Sequence, residues 1–264
     1  NEDLNFIKTL GEGGSGQVFL VQHKFTHATY AAKTHQPNNA SQMKALEQEL
    51  AVMAALSPHP NVAPLVGWHK EKESLTIYMP SYPASLYDVL KRPDLKSEFD
   101  SSNSIAEWSK QILLGLQHLH SHGITHRDIK VSSFLLFLFF PLFSFSSKNE
   151  SLTFLQPGNV LVTLKDKVIE GKPPKIRTTI KSLLLTDFGT AKKITKETSQ
   201  HTFKVGTLTH MAPEVHTKKE YDPKLADGLS FFFFLVCVCC AHRKPFFPNP
   251  LSPLLFTSLS QWNL

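Results

Sequence analysis

Gly11-Glu-Gly-Gly-Ser-Gly16 stands between two apolar runs, one arriving from Leu4 and one leaving through Val18, Phe19 and Leu20. Glycines at this density permit a tight reversal, and the β-formers beyond them favour extended backbone, so the segment reads as strand, turn, strand. A glycine-rich turn that opens a helix would suit a dinucleotide-binding crossover, but this one sits inside a hairpin. It suits a flap whose backbone N–H groups cover phosphate, and an ordinary glycine-rich hairpin has the same spacing.

Further strands are expected over Thr29 to Lys33 and Leu75 to Met79. Between them Asn39 to Leu56 predicts a helix: Leu46, Leu50 and Met53 step by four and three, and Asn39 with Gln42 has the spacing of a capping box. Ile105, Trp108, Ile112, Leu116 and Leu119 predict a long amphipathic helix that stops at Gly123. Strands first and helices after imply an α+β chain of two lobes. With 264 residues, 41% of them hydrophobic, the chain can bury a sizeable core. Its net charge of +6 is not gathered into a basic arm, so no nucleic-acid partner is expected.

Phenylalanine divides the chain into two kinds of sequence. Of 20 Phe, fourteen lie in 131–156 and 228–264, and the second stretch also holds the three cysteines, Cys237, Cys239 and Cys240. A disulfide framework is excluded for the rest, as in a reducing compartment. Asn1 to Thr9 is polar and has no signal-peptide character, so a cytoplasmic location is the default expectation. The C-x-C-C spacing without a second ligand pair is a weak metal signal.

Ala31-Ala32-Lys33 puts a lysine on the strand after the flap, within reach of phosphate. If buried, it needs a carboxylate to stay charged and aimed. Glu47 and Glu49 on the predicted helix are candidates, and Glu49, heading Glu49-Leu50-x-x-Met53-x-x-Leu56 before His59-Pro60-Asn61, is the better one. Either alone would read as a solvated surface charge. Three later motifs change that balance: His126-Arg127-Asp128-Ile129-Lys130, Asp187-Phe188-Gly189 after the apolar Leu183-Leu184-Leu185, and Gly206-Thr207 with Met211-Ala212-Pro213-Glu214. Together with the flap and Lys33 they make the chain resemble the eukaryotic protein kinases over about 200 residues, in the family's order. The Gly-Thr-x-x-x-Met-Ala-Pro-Glu run resembles the tyrosine-kinase-like group of serine/threonine kinases.

The resemblance implies a two-lobed kinase-like fold, β-rich in an N-lobe of about 1–79 and helical in an incomplete C-lobe of about 83–227. It implies that Gly11, Glu12, Gly13, Gly14, Ser15, Gly16 and Val18 cover ATP and that Ala31 touches the adenine. Lys33 would hold the α- and β-phosphates, positioned by Glu49. Met79 would stand at the back of the adenine pocket, with Thr76 as the alternative, and Pro80, Ser81 and Tyr82 would form the hinge. Asp128 would accept or orient the substrate hydroxyl proton, Lys130 marks the serine/threonine pattern, and Asn159 and Asp187 would hold Mg2+. The implied partner is a protein with a Ser or Thr acceptor. Thr195, Thr198, Ser199, Thr202 and Thr207 lie where an activating phosphate would pair with Arg127, although most also read as solvated loop hydroxyls and Thr207 as a residue that shapes the substrate site. The basic stretch Lys165 to Lys181 is expected to be a solvated loop.

The pattern breaks twice. A kinase catalytic loop wants Asn five positions after its Asp, but position 133 is Ser and Asn159 lies 31 positions after Asp128. Removing 131–156 restores His-Arg-Asp-Ile-Lys-Pro-Gly-Asn-Val-Leu. Ser132 to Ser147 uses only Ser, Phe, Leu and Pro, the residues that all-pyrimidine codons specify, so the stretch reads as a translated intron. A membrane span needs about 20 apolar residues, and Pro141 and several serines interrupt this one, so no membrane partner is expected. The second break follows Asp227, where 228–264 replaces the expected central helix with an intron-like tail. The expected organisation is a kinase domain over 1–227, interrupted at 131–156, followed by a non-homologous tail. In it the long helix would lose its packing partner, and Asp227 would begin a helix that does not form properly. The rival readings are a catalytically dead nucleotide-binding or scaffolding protein and a membrane-anchored signalling protein.

Overall fold

The computed structural model describes residues 3–13, 16–90, 92–95, 102–127, 159–169 and 175–194, with 222, 224, 225, 227 and 228 near the end. Gly14, Ser15, Asp128, Lys130, the 131–156 stretch, the five candidate phosphorylation positions from Thr195 to Thr207, Glu214 and the three cysteines lie outside the described residues.

The flap is a hairpin of β1 (Leu4–Gly13) and β2 (Gly16–His23), paired from Leu4 with His23 up to Gly13 with Gly16. β3 (Thr29–His35), β4 (Gly67–Lys70) and β5 (Leu75–Pro80) complete an antiparallel sheet in the order β1-β2-β3-β5-β4. Partners directly across a sheet share a face. Val18, Lys33 and Ile77 therefore form one row, and Leu20, Ala31 and Met79 the next.

Between β3 and β4 runs α1 (Ala40–Ala55). Asn39 caps it, its side chain accepting from the Gln42 N–H at 2.9 Å. Gln42 reaches back to the N–H of Asn38, not Asn39, so the capping box closes one residue upstream of the expected one. The buried residues of α1 are Glu49, Val52 and Met53, while Leu46 and Leu50 are only half-buried. The inward face is thus turned toward a carboxylate that apolar periodicity could not weigh.

After β5 come β6 (Ala84–Ser85), α2 (Leu86–Leu90), a 3-10 turn (Pro93–Leu95) and α3 (Ser102–Ser121). Trp108, Ile112, Leu113, Leu116 and Leu119 are buried along α3, which ends where Gly123 takes φ +68° and its N–H bonds the His120 carbonyl. The helix packs on β9 (Lys175–Leu185) and on β7 (Ile124–Thr125), which offer Ile124, Leu183 and Leu185, while the remainder of the helical lobe expected beside it lies outside the described residues. Gly115 makes the approach close: a methyl there would stand 2.7 Å from the Asn61 carbonyl oxygen. One core joins both lobes, with Met53, Ile77 and Met79 on the sheet side and Leu116, Leu119, Leu185 and Phe188 on the other. Each such side chain contributes about 1.5–3 kcal/mol.

The expected loop over Lys165 to Lys181 is instead a hairpin. β8 (Val160–Ile169) pairs with β9 from Val160–Leu185 out to Ile169–Lys175. Thr163, Val168, Ile176, Thr178, Thr179 and Ile180 are β-branched, and that preference for extended backbone outweighs the basic charge that suggested a loop. β6 adds to the other edge of β8, and β10 (Lys192–Lys193) pairs with β7. Lys224, Leu225, Asp227 and Gly228 have helical backbone, and Asp227 is buried. The helix expected to continue from Asp227 falls in 229–264, outside the described residues. No helix among the described residues is long and apolar enough to cross a membrane.

Candidate active site

Alternation along β3 turns Lys33 inward, and α1 carries Glu49 to meet it. The Lys33 ammonium lies 3.0 Å from Glu49 Oε1 and 2.9 Å from Asp187 Oδ1, with Lys33 and Glu49 both nearly sealed from solvent. Burial alone would depress the lysine, but Asp187 and then Glu49 outweigh it and hold its pKa above the usual 10.5. Burial pushes the Glu49 carboxyl up, Lys33 pulls it down and Asp187 adds to the rise, so its pKa ends above 4.5. One cation thus serves two carboxylates, and Glu49 is the one on which desolvation falls. Gly189 leaves room for the group: a Cβ there would stand 3.3 Å from Glu49 Oε2 and 3.4 Å from Asp187 Oδ1.

Around Lys33 lie the residues of the sheet's inner face. Val18 is its direct partner on β2 and Ala31 precedes it by two on β3. Met79 is buried on that same face, whereas Thr76 has the opposite parity and hydrogen-bonds Thr34 at 3.0 Å. Met79 Sδ also accepts from the Thr186 hydroxyl at 3.8 Å, just before Asp187. Pro80 closes β5 and offers only a carbonyl. Ser81 Oγ is 2.7 Å from Thr29 Oγ1, and burial raises the Tyr82 phenol. Gly11, Glu12 and Gly13 line the β1 side of the flap and Gly16 opens β2. Gly16 has φ +109°, and a side chain there would collide with the Thr34 carbonyl, so only glycine fits.

The opposite wall is built on His126 and Arg127. Asp227 accepts from the His126 N–H at 2.9 Å, the Arg127 N–H at 2.7 Å and His120 Nε2 at 2.8 Å. These three donors hold the backbone through Arg127, whose φ is +65°. Arg127 Nε donates to the Thr190 carbonyl, and the Thr190 hydroxyl donates to the His126 carbonyl. Asn159 is buried, and its carbonyl accepts from Thr186 N–H at 3.1 Å. His126 Nε2 bonds the Thr186 carbonyl at 3.0 Å. Residues on the two sides of the 131–156 stretch therefore meet at a single residue, Thr186. Asp187, next to it, has φ +61°, which directs its carboxylate toward Lys33.

Lys33, Glu49 and Asp187 are thus brought together, with Val18, Ala31 and Met79 on the adjoining face and Asn159 one residue-contact from Asp187. Sequence reasoning missed Asp227, Thr186 and His35. The last was open to the simplest rule, since residues 31, 33 and 35 of a strand share a face. Lys33 under a glycine flap can bind a phosphate oxygen, and the net negative charge left by its two carboxylates suits a divalent cation, toward which Asp187 and Asn159 could offer oxygen donors.

Comparison with known proteins agrees. The protein kinase domain model matches residues 4–137. The chain is 29% identical to "Serine/threonine-protein kinase SMU1" of Mycosarcoma maydis over 220 residues, which is 83% of this chain and 23% of that protein. It is 29% identical to "Serine/threonine-protein kinase shk1/pak1" of Schizosaccharomyces pombe over 222 residues, 84% of this chain and 26% of the relative. With "Serine/threonine-protein kinase STE20" of Saccharomyces cerevisiae the identity is 28% over 222 residues, 84% of this chain and 18% of the relative. The matched region thus spans about a quarter or less of these relatives' length.

Proposed function

This chain belongs to the protein kinase domain family, and on that premise we propose that it transfers the γ-phosphoryl group of Mg-ATP to Ser or Thr hydroxyls of a protein. The observation that carries the reading is Lys33 sealed between Glu49 and Asp187 at 3.0 and 2.9 Å. Bound Mg-ATP supplies the phosphoryl group and the metal's neutralising charge. The chain's own residues do the rest. Gly11, Glu12, Gly13, Gly14, Ser15, Gly16 and Val18 cover the nucleotide, and Ala31, Met79, Pro80, Ser81 and Tyr82 receive its base. Lys33 holds the phosphate oxygens and Glu49 aims Lys33. Asp187 and Asn159 hold the metal. Asp128 accepts or orients the acceptor hydroxyl's proton, and Lys130, two positions on, is the catalytic-loop lysine of the serine/threonine pattern.

We also propose that residues 1–227 form the kinase domain and that 131–156 is an insertion within its catalytic loop. Two observations support this: the family match stops at residue 137, inside that stretch, and His126 and Asn159 both bond Thr186 across it. A cytoplasmic location belongs to the same proposal.

The test is phosphoryl transfer from γ-labelled ATP by the full chain to a Ser/Thr-containing protein, beside Asp128→Asn. Label on Ser or Thr that disappears in the variant is expected. Nucleotide binding that depends on Lys33 with no transfer in either protein would overturn the enzymatic reading in favour of a nucleotide-binding scaffold. Sequencing the mature message across codons 126–162 tests the insertion, and reads joining Lys130 directly to Pro157 are expected.

A further inference from the structure

Ser57 follows α1 directly after its C-cap, Leu56, and precedes Pro58. A residue before proline is biased to extended backbone, and Ser57 is exposed there. Three imidazoles gather beside it. His118 and His122, four residues apart where α3 ends, have ring centroids 4.5 Å apart, and His59 stacks on His118 at 4.6 Å. Their tautomers follow from their partners. His118 Nε2 donates to the Ser57 carbonyl at 2.9 Å, and His122 Nδ1 donates to the His118 carbonyl at 2.9 Å. His59 Nδ1 accepts from the Asn61 N–H at 3.2 Å. In the neutral ring His122 Nε2 is therefore an acceptor, 3.4 Å from Ser57 Oγ. Among the described residues no carboxylate bonds any of the three rings. Burial, and then His118, lower the His59 pKa below its usual 6.5, the response of basic groups crowded without an anion.

We propose that Ser57 is a phosphorylation site whose phosphate is received by the cluster of His59, His118 and His122, tying the segment after α1 to the end of α3. In the transfer, the bond from the γ-phosphorus of ATP to its β–γ bridging oxygen breaks and a bond to Ser57 Oγ forms. The hydroxyl proton passes to the modifying kinase and ADP leaves. The change of group reverses the polarity at His122. A hydroxyl donates to its Nε2, whereas a phosphate dianion only accepts, so His122 bonds it by holding a proton on Nε2 as well as Nδ1. The resulting imidazolium–phosphate bond is charge-assisted, with His118 and His59 stacked behind it. The end of α1 opposes the phosphate with about half a negative charge, and a full cation in contact outweighs it. Because α1 carries Glu49, the tie holds the helix that meets Lys33. The site goes beyond the reaction proposed above and stands without it.

The experiment treats the full chain with ATP and a proline-directed protein kinase and locates the phosphate by mass spectrometry. Ser252, the other serine before a proline, reports that the kinase is competent on this chain. Phosphate on Ser57 is expected, and phosphate on Ser252 alone would overturn the site. Thermal midpoints before and after modification are then compared in a Ser252→Ala background. Phosphate on Ser57 is expected to raise the midpoint by about 2–4 °C. His122→Leu is expected to lose that rise and His122→Lys, which keeps a cation, to retain most of it. Should the leucine variant not fold, His122→Met replaces it. A midpoint that falls or does not move, or a rise that survives the loss of His122, would overturn the clamp.

Discussion

The two walls of the cleft stabilise a buried charge by opposite means. On one wall a cation, Lys33, is met by two carboxylates at 3.0 and 2.9 Å. On the other an anion, Asp227, is met by two backbone N–H groups and an imidazole at 2.7–2.9 Å. The first wall depends on which groups are ionised and leaves a net negative charge for an incoming cation or proton to answer. The second depends on backbone geometry, since its donors cannot move without unfolding the turn at Arg127. Reactive charge is thus balanced by charge, and shape is fixed by dipoles.

Asp227→Ala breaks the second wall and has the largest expected cost to the fold. It strands two buried N–H groups and a buried imidazole, so a loss of about 3–5 kcal/mol is expected from urea unfolding of the full chain. A loss below about 1 kcal/mol would mean that the turn is held elsewhere. Lys33→Met breaks the first wall. The volume is kept but Glu49 and Asp187 face each other without a cation, and phosphoryl transfer is expected to fall about 100-fold or more, read in the same label assay.

Glu49→Gln sharpens the contrast through pH. The folded carboxyl has a raised pKa, so the folded state binds a proton that the unfolded state releases first. Its contribution is fully present below the ordinary 4.5 and is lost as pH rises through the folded value. The glutamine variant is expected to show a flatter stability profile over that interval, read from urea midpoints at a series of pH values.

Gly189→Ala is a gentler intrusion. Its methyl meets Glu49 Oε2 at 3.3 Å and Asp187 Oδ1 at 3.4 Å, so the carboxylates must give by a few tenths of an ångström. About 1 kcal/mol of destabilisation is expected, measured by the shift in denaturation midpoint. The smallest effect belongs outside both walls. Val168 and Ile176 face each other at 66% and 74% exposure near the far end of β8–β9, and replacing both with Thr should change stability by no more than about 0.5 kcal/mol.

Much of this was legible in the sequence where the signal is local. Gly123 ends α3, Asn39 caps α1, and β1, β3 and β5 begin at the expected Leu4, Thr29 and Leu75, whereas β4 was not foreseen. Lys33 and Glu49 were found because a buried lysine must have a carboxylate. Three features escaped because local rules compete or do not apply. The charge of Lys165 to Lys181 concealed the β-branched alternation of a hairpin. The apolar steps Leu46 and Leu50 drew attention from Glu49 as the deepest residue of α1. Asp227 lies 101 and 100 residues from the backbone groups it holds, and no periodicity links groups that far apart.

The meeting of His126 and Asn159 at Thr186 bears on chain continuity itself. Both bonds are made to the same third residue, so their alignment is a matter of contact and not of being neighbours in the polypeptide. The molecule is in that respect a two-piece assembly that happens to be written as one chain. Expressed as separate fragments divided within 131–156, the pieces should find each other and copurify, and nucleotide bound to the reassembled pair but to neither fragment alone is the result that would establish it.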